Sequence, residues 1–166
     1  MKRSTLLAAL VFASLSACAQ TDQYITAAYA GMKFQVPESP VIVGSLGMNN
    51  DILLIKYSET IGKRYISFAT ENSLDTGGCG WTDFFEATLS NAPNHSCSQA
   101  SVASFRHVFV EGTDTGSWKI EGDAYYYFLS DSDSSFVFFE SNNGNLIKLE
   151  SDFLDSHGFR RVLGDI

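Results

Sequence analysis

Short β-rich runs separated by very short polar connectors fill most of the second half of the chain. The runs span residues 105–110, 118–121, 124–129, 136–140 and 146–149. Residues 143–144 are Asn-Gly, and this pair between two apolar runs is the strongest short-range signal for a β-hairpin. Because parallel strands need long crossover connections, connectors this short predict an antiparallel sheet.

The first half contains further strand signals. Residues 51–57 and 64–70 are β-rich and predict a hairpin with a longer loop. Residues 33–36 alternate and then meet Pro37, which predicts a first or edge strand.

Two segments have helical signals. Phe84, Phe85 and Leu89 share one face at helical spacing, which predicts an amphipathic helix over 82–90. Ser151 as an N-cap and Gly158 as a left-handed terminator predict a short helix over 152–157, with a last strand at 159–163. We therefore expect an α+β fold, mainly an antiparallel β-meander with one covering helix at about 82–90 and a short C-terminal helix.

Length and composition are consistent with one folded domain. The chain has 166 residues, of which 45% are hydrophobic, and a formal charge of −8. The apolar content excludes general disorder, and the acidic balance argues against a nucleic-acid partner.

Aromatic residues at 125–127 and 136–139 fall on both faces of adjacent strands. We expect them in the core, with an open binding face as the alternative.

The N-terminus has the pattern of a secretory signal peptide. Lys2 and Arg3 precede a ten-residue apolar run at 6–15, and small residues then lead to Cys18. Residues 15–18, Leu-Ser-Ala-Cys, resemble the lipobox of bacterial lipoproteins. The alternative is an ordinary cleaved signal peptide with a chance cysteine.

The resemblance implies that Cys18 receives a diacylglycerol and that the chain is cut before it. Residues 1–17 would be the signal peptide, 18–30 a lipidated tether and 31–166 a periplasmic domain. Each buried methylene of an acyl chain contributes about 0.8 kcal/mol, so two or three chains anchor firmly in a bilayer. Ala19 in place of an aspartate implies the outer membrane, facing the periplasm.

Maturation would leave two cysteines, Cys79 and Cys97, which an oxidising compartment is expected to pair. Two alternatives use the same thiols. One is a metal site that adds His95 and His107, although no Cys-x2-Cys spacing supports it. The other is Cys79 as a nucleophile near a helix start. We expect the disulfide and no metal.

The tripeptide Asp-Thr-Gly occurs twice, beginning at Asp75 and Asp114. It resembles the active-site signature of aspartic proteases, in which two aspartates share a proton and activate water. Residues 162–164, Val-Leu-Gly, resemble the apolar segment behind that loop. However, the copies are only 39 positions apart and neither follows a buried apolar strand directly. Asp-Thr-Gly is also ordinary turn chemistry.

Residues 131–135 resemble the opening of a calcium loop, but Phe136 and Asn142 stand where that loop needs glycine and glutamate. We expect a hairpin turn at this position.

These features predict an outer-membrane-anchored lipoprotein whose acidic, non-catalytic periplasmic domain binds a protein or an envelope component without a cofactor. Removal of Lys2 and Arg3 leaves nine basic against 19 acidic residues, a charge of −10 that attracts basic partners, with a merely solvated surface as the alternative interpretation. A first alternative is a tethered inhibitor or immunity protein against a basic toxin or hydrolase. A second is an aspartic-protease-like hydrolase that uses Asp75 and Asp114.

Overall fold

The computed structural model describes residues 23–48, 51–90 and 96–165. The predicted signal peptide, Cys18 and His95 lie outside these residues. The strands are β1 (Tyr24–Tyr29), β2 (Met32–Pro37), β3 (Ile42–Leu46), β4 (Ile52–Lys56), β5 (Tyr65–Thr70), β6 (Asp114–Ile120), β7 (Asp123–Leu129), β8 (Ser135–Glu140) and β9 (Leu146–Ser151). The helices are α1 (Trp81–Leu89), α2 (Gln99–Phe105), which continues as a π-helical segment at Arg106–Val110, and α3 (Ser156–Val162).

Seven strands form one antiparallel sheet in the order β3-β4-β5-β9-β8-β7-β6. Two meanders, β3 to β5 and β6 to β9, are joined where β5 pairs with β9 and Phe68 lies opposite Leu149. Strands β1 and β2 form a separate two-stranded hairpin. The predicted α+β fold with a mainly antiparallel sheet is confirmed.

Successive side chains of a strand point to opposite sides, and strands β7, β8 and β9 contribute buried residues to both faces of the sheet. One face packs on the β1–β2 hairpin and α3, in a cluster we call the first core. The other packs on α1, α2 and the π-helical segment, in the second core. On β7, Tyr125 belongs to the first core while Tyr126 and Phe128 belong to the second. The aromatic residues of β7 and β8 thus lie in the two cores, except Tyr127 and Phe136, which are partly buried and pack against them.

The prediction of a strand at 105–110 was wrong, since these residues continue α2 and its π-helical segment. The Ser98 hydroxyl caps α2 by accepting a hydrogen bond from the Ser101 N–H at 3.4 Å. Val102, Phe105 and Phe109 then recur at spacings of three and four, and the last two rings stack with centroids 4.5 Å apart. Burial of these rings against α1 outweighs the β-propensity of the run.

The C-terminal helix is present but is shifted along the chain. It spans Ser156–Val162, not 152–157, and the predicted strand at 159–163 does not form. Asp155 is the N-cap, and its carboxylate accepts a hydrogen bond from the Gly158 N–H at 2.8 Å. Gly158 therefore lies in the first turn and does not end the helix. Burial of Phe159 and Val162 in the first core holds this helix in place.

Two further segments differ from the sequence prediction. Strand β1 occupies Tyr24–Tyr29, within the segment expected to be tether, because its alternate residues pack on the first core. Strand β6 begins at Asp114, within the expected connector at 112–116. Gly116 lies opposite Tyr127, and a Cβ there would overlap the Tyr127 hydroxyl.

Within the described ranges, no helix has the length and apolar character needed to cross a bilayer.

Candidate functional site

The Cys79–Cys97 disulfide is present, with an S–S distance of 2.10 Å and a Cα–Cα distance of 5.0 Å. Cys79 lies just before α1 and Cys97 just before α2, so the bond fixes the starts of these two helices beside each other. Both thiols are used, which removes the cysteine ligands of the alternative metal set and the Cys79 nucleophile. His107 is exposed on the π-helical segment, with its Nδ1 3.0 Å from Glu111 Oε2. Among the described residues no group of three metal-binding side chains converges.

Asp75 holds a turn together. Its Oδ1 accepts a hydrogen bond from the Gly77 N–H at 2.9 Å, and its Oδ2 accepts one from the Ser101 hydroxyl at 2.7 Å. The Ser101 bond, followed by the Gly77 bond, lowers the pKa of the Asp75 carboxyl. Asp75 thus links the loop before α1 to α2, and the two hydrogen bonds favour the ionised form of its carboxyl group.

Asp114 has a different setting, as the exposed first residue of β6 opposite Leu129. It lines a pocket to which Asp75 does not contribute. The structure therefore does not bring the two Asp-Thr-Gly aspartates together in one cleft.

The pocket beside Asp114 has a volume of about 400 Å³, and we call it the acidic pocket. Five aspartates and no lysine or arginine are among its lining residues in the described part of the chain. The aspartates come from the start of β6, the β7–β8 turn and the segment between β9 and α3; they are Asp114, Asp131, Asp133, Asp152 and Asp155. The apolar part of the pocket wall is formed by Leu129, Phe153 and Leu154. The pocket therefore combines negative charge with an apolar surface.

Local hydrogen bonds fix the shape of the acidic pocket. The Ser130 hydroxyl accepts from the N–H groups of Ser132 and Asp133, at 3.4 and 3.1 Å, and sets the β7–β8 turn. The hairpin turn predicted at 131–135 is thereby confirmed. Asp152 binds the backbone of the β4–β5 connection, and Asp155 caps α3.

A second candidate surface is the outer edge of the sheet at β3. We call this strand with the preceding Val41 the β3 edge. Val41, Ile42, Val43 and Leu46 are between 48% and 59% exposed. No residue of β3 or β4 belongs to the second core, so α1, α2 and the π-helical segment do not cover this end of the sheet. The surrounding sequence at 40–50 contains no charged residue.

The hydrogen-bond pattern shows which backbone groups of the β3 edge point outward. The Thr70 N–H donates to the Asp51 carbonyl at 3.1 Å, and the Tyr57 N–H donates to the Arg64 carbonyl at 2.7 Å. Asp51 and Tyr57 flank β4 on either side, so the backbone groups of the odd-numbered positions 51–57 face β5, and those of Ile52, Leu54 and Lys56 face β3.

The residues opposite them, Leu46, Gly44 and Ile42, turn their backbone groups inward. Val43 and Ser45 direct their N–H and C=O groups to the open side of the sheet. There, no strand of the described ranges pairs with them.

The β3 edge was missed by the sequence analysis. Residues 41–43, Val-Ile-Val, carry a β-branched signal, but Gly44, Ser45 and Gly47 follow at once and the run is short. A short strand followed by turn residues has little pattern of its own. Its pairing with β4 is what forms it.

Comparison with known proteins does not assign the chain to a family. No protein-family model matches the chain, and no curated protein and no solved structure is significantly similar to it.

Proposed function

We propose that the mature chain is a lipid-anchored, non-catalytic domain of the bacterial outer membrane that faces the periplasm and binds a protein by strand addition at the β3 edge. The resemblance of residues 15–18 to a lipobox supports the anchor at Cys18. The single observation that carries the binding function is the open, uncharged β3 edge. In strand addition the backbone supplies hydrogen bonds and the alternating side chains supply specificity.

The two edges of the sheet differ in a way that supports this choice. Natural proteins block exposed strand edges with charged residues, proline or bulges. The β6 edge carries Asp114 and Lys119, whereas β3 has no charged residue. Val43 and Ser45 offer two N–H donors and two C=O acceptors. Apolar Ile42 and Leu46, whose backbone groups pair with β4, flank them along the strand.

A site-specific photocrosslink tests the proposal in intact cells. A benzophenone amino acid at Val43 should give a crosslinked species of higher mass. The same probe at Ile61, which is 94% exposed in the β4–β5 connection, should give none. Ser45→Pro should abolish the Val43 crosslink, because proline removes an outward N–H that the fold does not use. Ser45→Ala, which keeps that N–H, is the matched control.

Absence of a Val43 crosslink, or equal crosslinking from Val43 and Ile61, would contradict the proposal. So would a Val43 crosslink that persists unchanged in Ser45→Pro. Circular dichroism of each variant establishes that the fold is intact before the crosslinks are compared.

The acidic pocket favours a second candidate function, a tethered inhibitor of a basic toxin or hydrolase. The Arg64 guanidinium already lies over the Phe153 ring, 5.0 Å from its centroid. A lysine or arginine side chain of a partner would therefore lay its aliphatic stem on Leu129 or Leu154, while carboxylates attract its charged head. An oligoarginine peptide should bind the wild type and lose affinity as salt is raised.

The double variant Asp131→Asn/Asp133→Asn should weaken this binding more than a surface change of equal charge outside the pocket. Glu121→Gln/Asp123→Asn is that control, because both of its residues are exposed and neither lines the acidic pocket. Equal loss in both double variants would mean that only net charge attracts the peptide, and this candidate would be abandoned.

A further inference from the structure

We propose that the β3 edge pairs with the β3 edge of a second copy of this chain, antiparallel about a two-fold axis that passes between the two Gly44 residues. The inference rests on the proposed function, since it names the protein that adds a strand at β3. Its basis is the self-complementarity of the strand in one register.

The outward backbone groups select that register. When two identical strands pair antiparallel, the residue numbers of any two opposing residues add up to the same sum. With Gly44 opposite its own copy, Val43 lies opposite Ser45 of the second chain, and Ser45 opposite Val43. Both are positions whose N–H and C=O groups point outward, so the pairing forms two reciprocal pairs of hydrogen bonds.

The neighbouring registers use these groups less well. Centring the axis on Val43 places Val41 opposite Ser45, but the Val41 N–H already donates to the Lys56 carbonyl at 2.7 Å. Centring it on Ser45 places Gly47 opposite Val43, and Gly47 leaves the extended conformation with a φ of +89°. Only the register centred on Gly44 satisfies Val43 and Ser45 of both chains with extended strand residues.

Side chains match in the same register. Ile42 lies opposite Leu46 of the second copy, twice, so that apolar residues that are 48% and 50% exposed cover each other. Gly44 is at a non-hydrogen-bonded pair, where opposed side chains come closest, and it contributes no side chain. A Cβ built at Gly44 meets no atom within 4 Å. The two sheets would continue into each other across the axis.

The net charge of the chain and the area buried between the two β3 edges determine how strong the pairing should be. The chain is acidic overall, so copies repel each other, but the segment 40–50 is uncharged and brings no like charges together at the axis. A contact of one short strand on another buries less than the roughly 1,000 Å² of a stable interface. Association should be weak in dilute solution and favoured where membrane anchoring raises the local concentration.

Cysteine trapping of the full-length protein in membrane vesicles tests the register. Paired strands place the two residue-44 Cα atoms about 4.5 Å apart, within the range that a disulfide spans. Under mild oxidation, Gly44→Cys should form a covalent dimer at least tenfold faster than Ser45→Cys, which in this register lies opposite Val43. A mixture of Val43→Cys and Ser45→Cys chains should form the heterodimer faster than either homodimer.

Equal dimer formation by Gly44→Cys and Ser45→Cys, or none by Gly44→Cys together with none in the mixture, would overturn the self-pairing. A Val43 photocrosslink to a different protein, combined with no Gly44→Cys dimer, would refute self-pairing and leave the proposed function standing. Absence of both the photocrosslink and the cysteine dimer would refute both.

Discussion

The Asp152 carboxylate accepts a hydrogen bond from the backbone N–H of Arg64 at 2.8 Å, although the two residues are 88 positions apart in the chain. The other Asp152 oxygen accepts from the Tyr65 N–H at 2.9 Å. Arg64 has a φ of +50°, so the carboxylate holds the backbone at the point where the β4–β5 connection enters β5. This contact joins the two meanders beside the acidic pocket.

Replacing Asp152 should destabilise the fold. Asp152→Ala removes both acceptors and should lower the free energy of unfolding by about 1–3 kcal/mol, because hydrogen bonds to a charged group contribute about that much. Asp152→Asn keeps one carbonyl oxygen and should cost less. The measurement is the urea unfolding midpoint. Asp131→Ala, in the same pocket, is the control, and an equal effect there would contradict the assigned role.

The Cys79–Cys97 disulfide should stabilise the chain by about 3 kcal/mol, as expected for a loop of this size. The double variant Cys79→Ser/Cys97→Ser should therefore melt at a lower temperature than the wild type. Reductant should lower the wild-type Tm and leave that of the double variant unchanged. A wild-type Tm insensitive to reductant under unfolding conditions would contradict this contribution.

Two tyrosines predict alkaline destabilisation. Burial raises the pKa of Tyr57 to about 12, and burial together with the Glu150 hydrogen bond raises that of Tyr65 to about 12. In the unfolded chain both titrate near 10. The folded state therefore holds these protons at pH values where the unfolded state has lost them, so their contribution is complete below pH 10 and is lost as pH rises toward 12.

Denaturant unfolding between pH 8 and 12 checks this dependence. Stability should fall with pH in the wild type and fall less steeply in a Tyr57→Phe/Tyr65→Phe variant. Tyr57→Phe also loses the bond that its hydroxyl donates to the Pro37 carbonyl at 2.9 Å, so the slope and not the absolute stability is compared. Identical slopes would contradict the raised pKa values.

Asp75 should act as a structural residue and not as a catalytic one. Its lowered pKa means that the stability it contributes is present above its unfolded pKa and is lost as pH falls through the folded value. Asp75→Asn should flatten the acid limb of the stability profile. The protein should not cleave casein at acid pH, and acid cleavage that Asp75→Asn abolishes would restore the protease hypothesis.

The elements that sequence reasoning predicted correctly have strong local signals. Strands β7 to β9 have short turns and alternating faces, and α1 has Phe84, Phe85 and Leu89 at helical spacing with buried phenylalanines. Fold class and disulfide follow from these signals and from the cysteine count. These signals are local in the sequence, so they can be recognised without knowledge of long-range contacts.

The errors occurred where distant contacts decide the structure. Phe105 and Phe109 become helical because the second core requires their rings on one face, and their local β-propensity gives no sign of it. The C-terminal helix depends on whether Ser151 or Asp155 acts as its cap, and both are good cap residues. The β3 edge depends on pairing with β4 and could not be read from residues 41–46 alone.

The most direct test of the account is the state of Cys18 in the protein recovered from bacterial envelopes. We predict a mature chain that begins at Cys18, carries acyl chains and incorporates labelled fatty acid, with no label in Cys18→Ser. A cytosolic protein that retains residues 1–17 and takes up no label would contradict the anchored, periplasm-facing domain on which the proposed binding function rests.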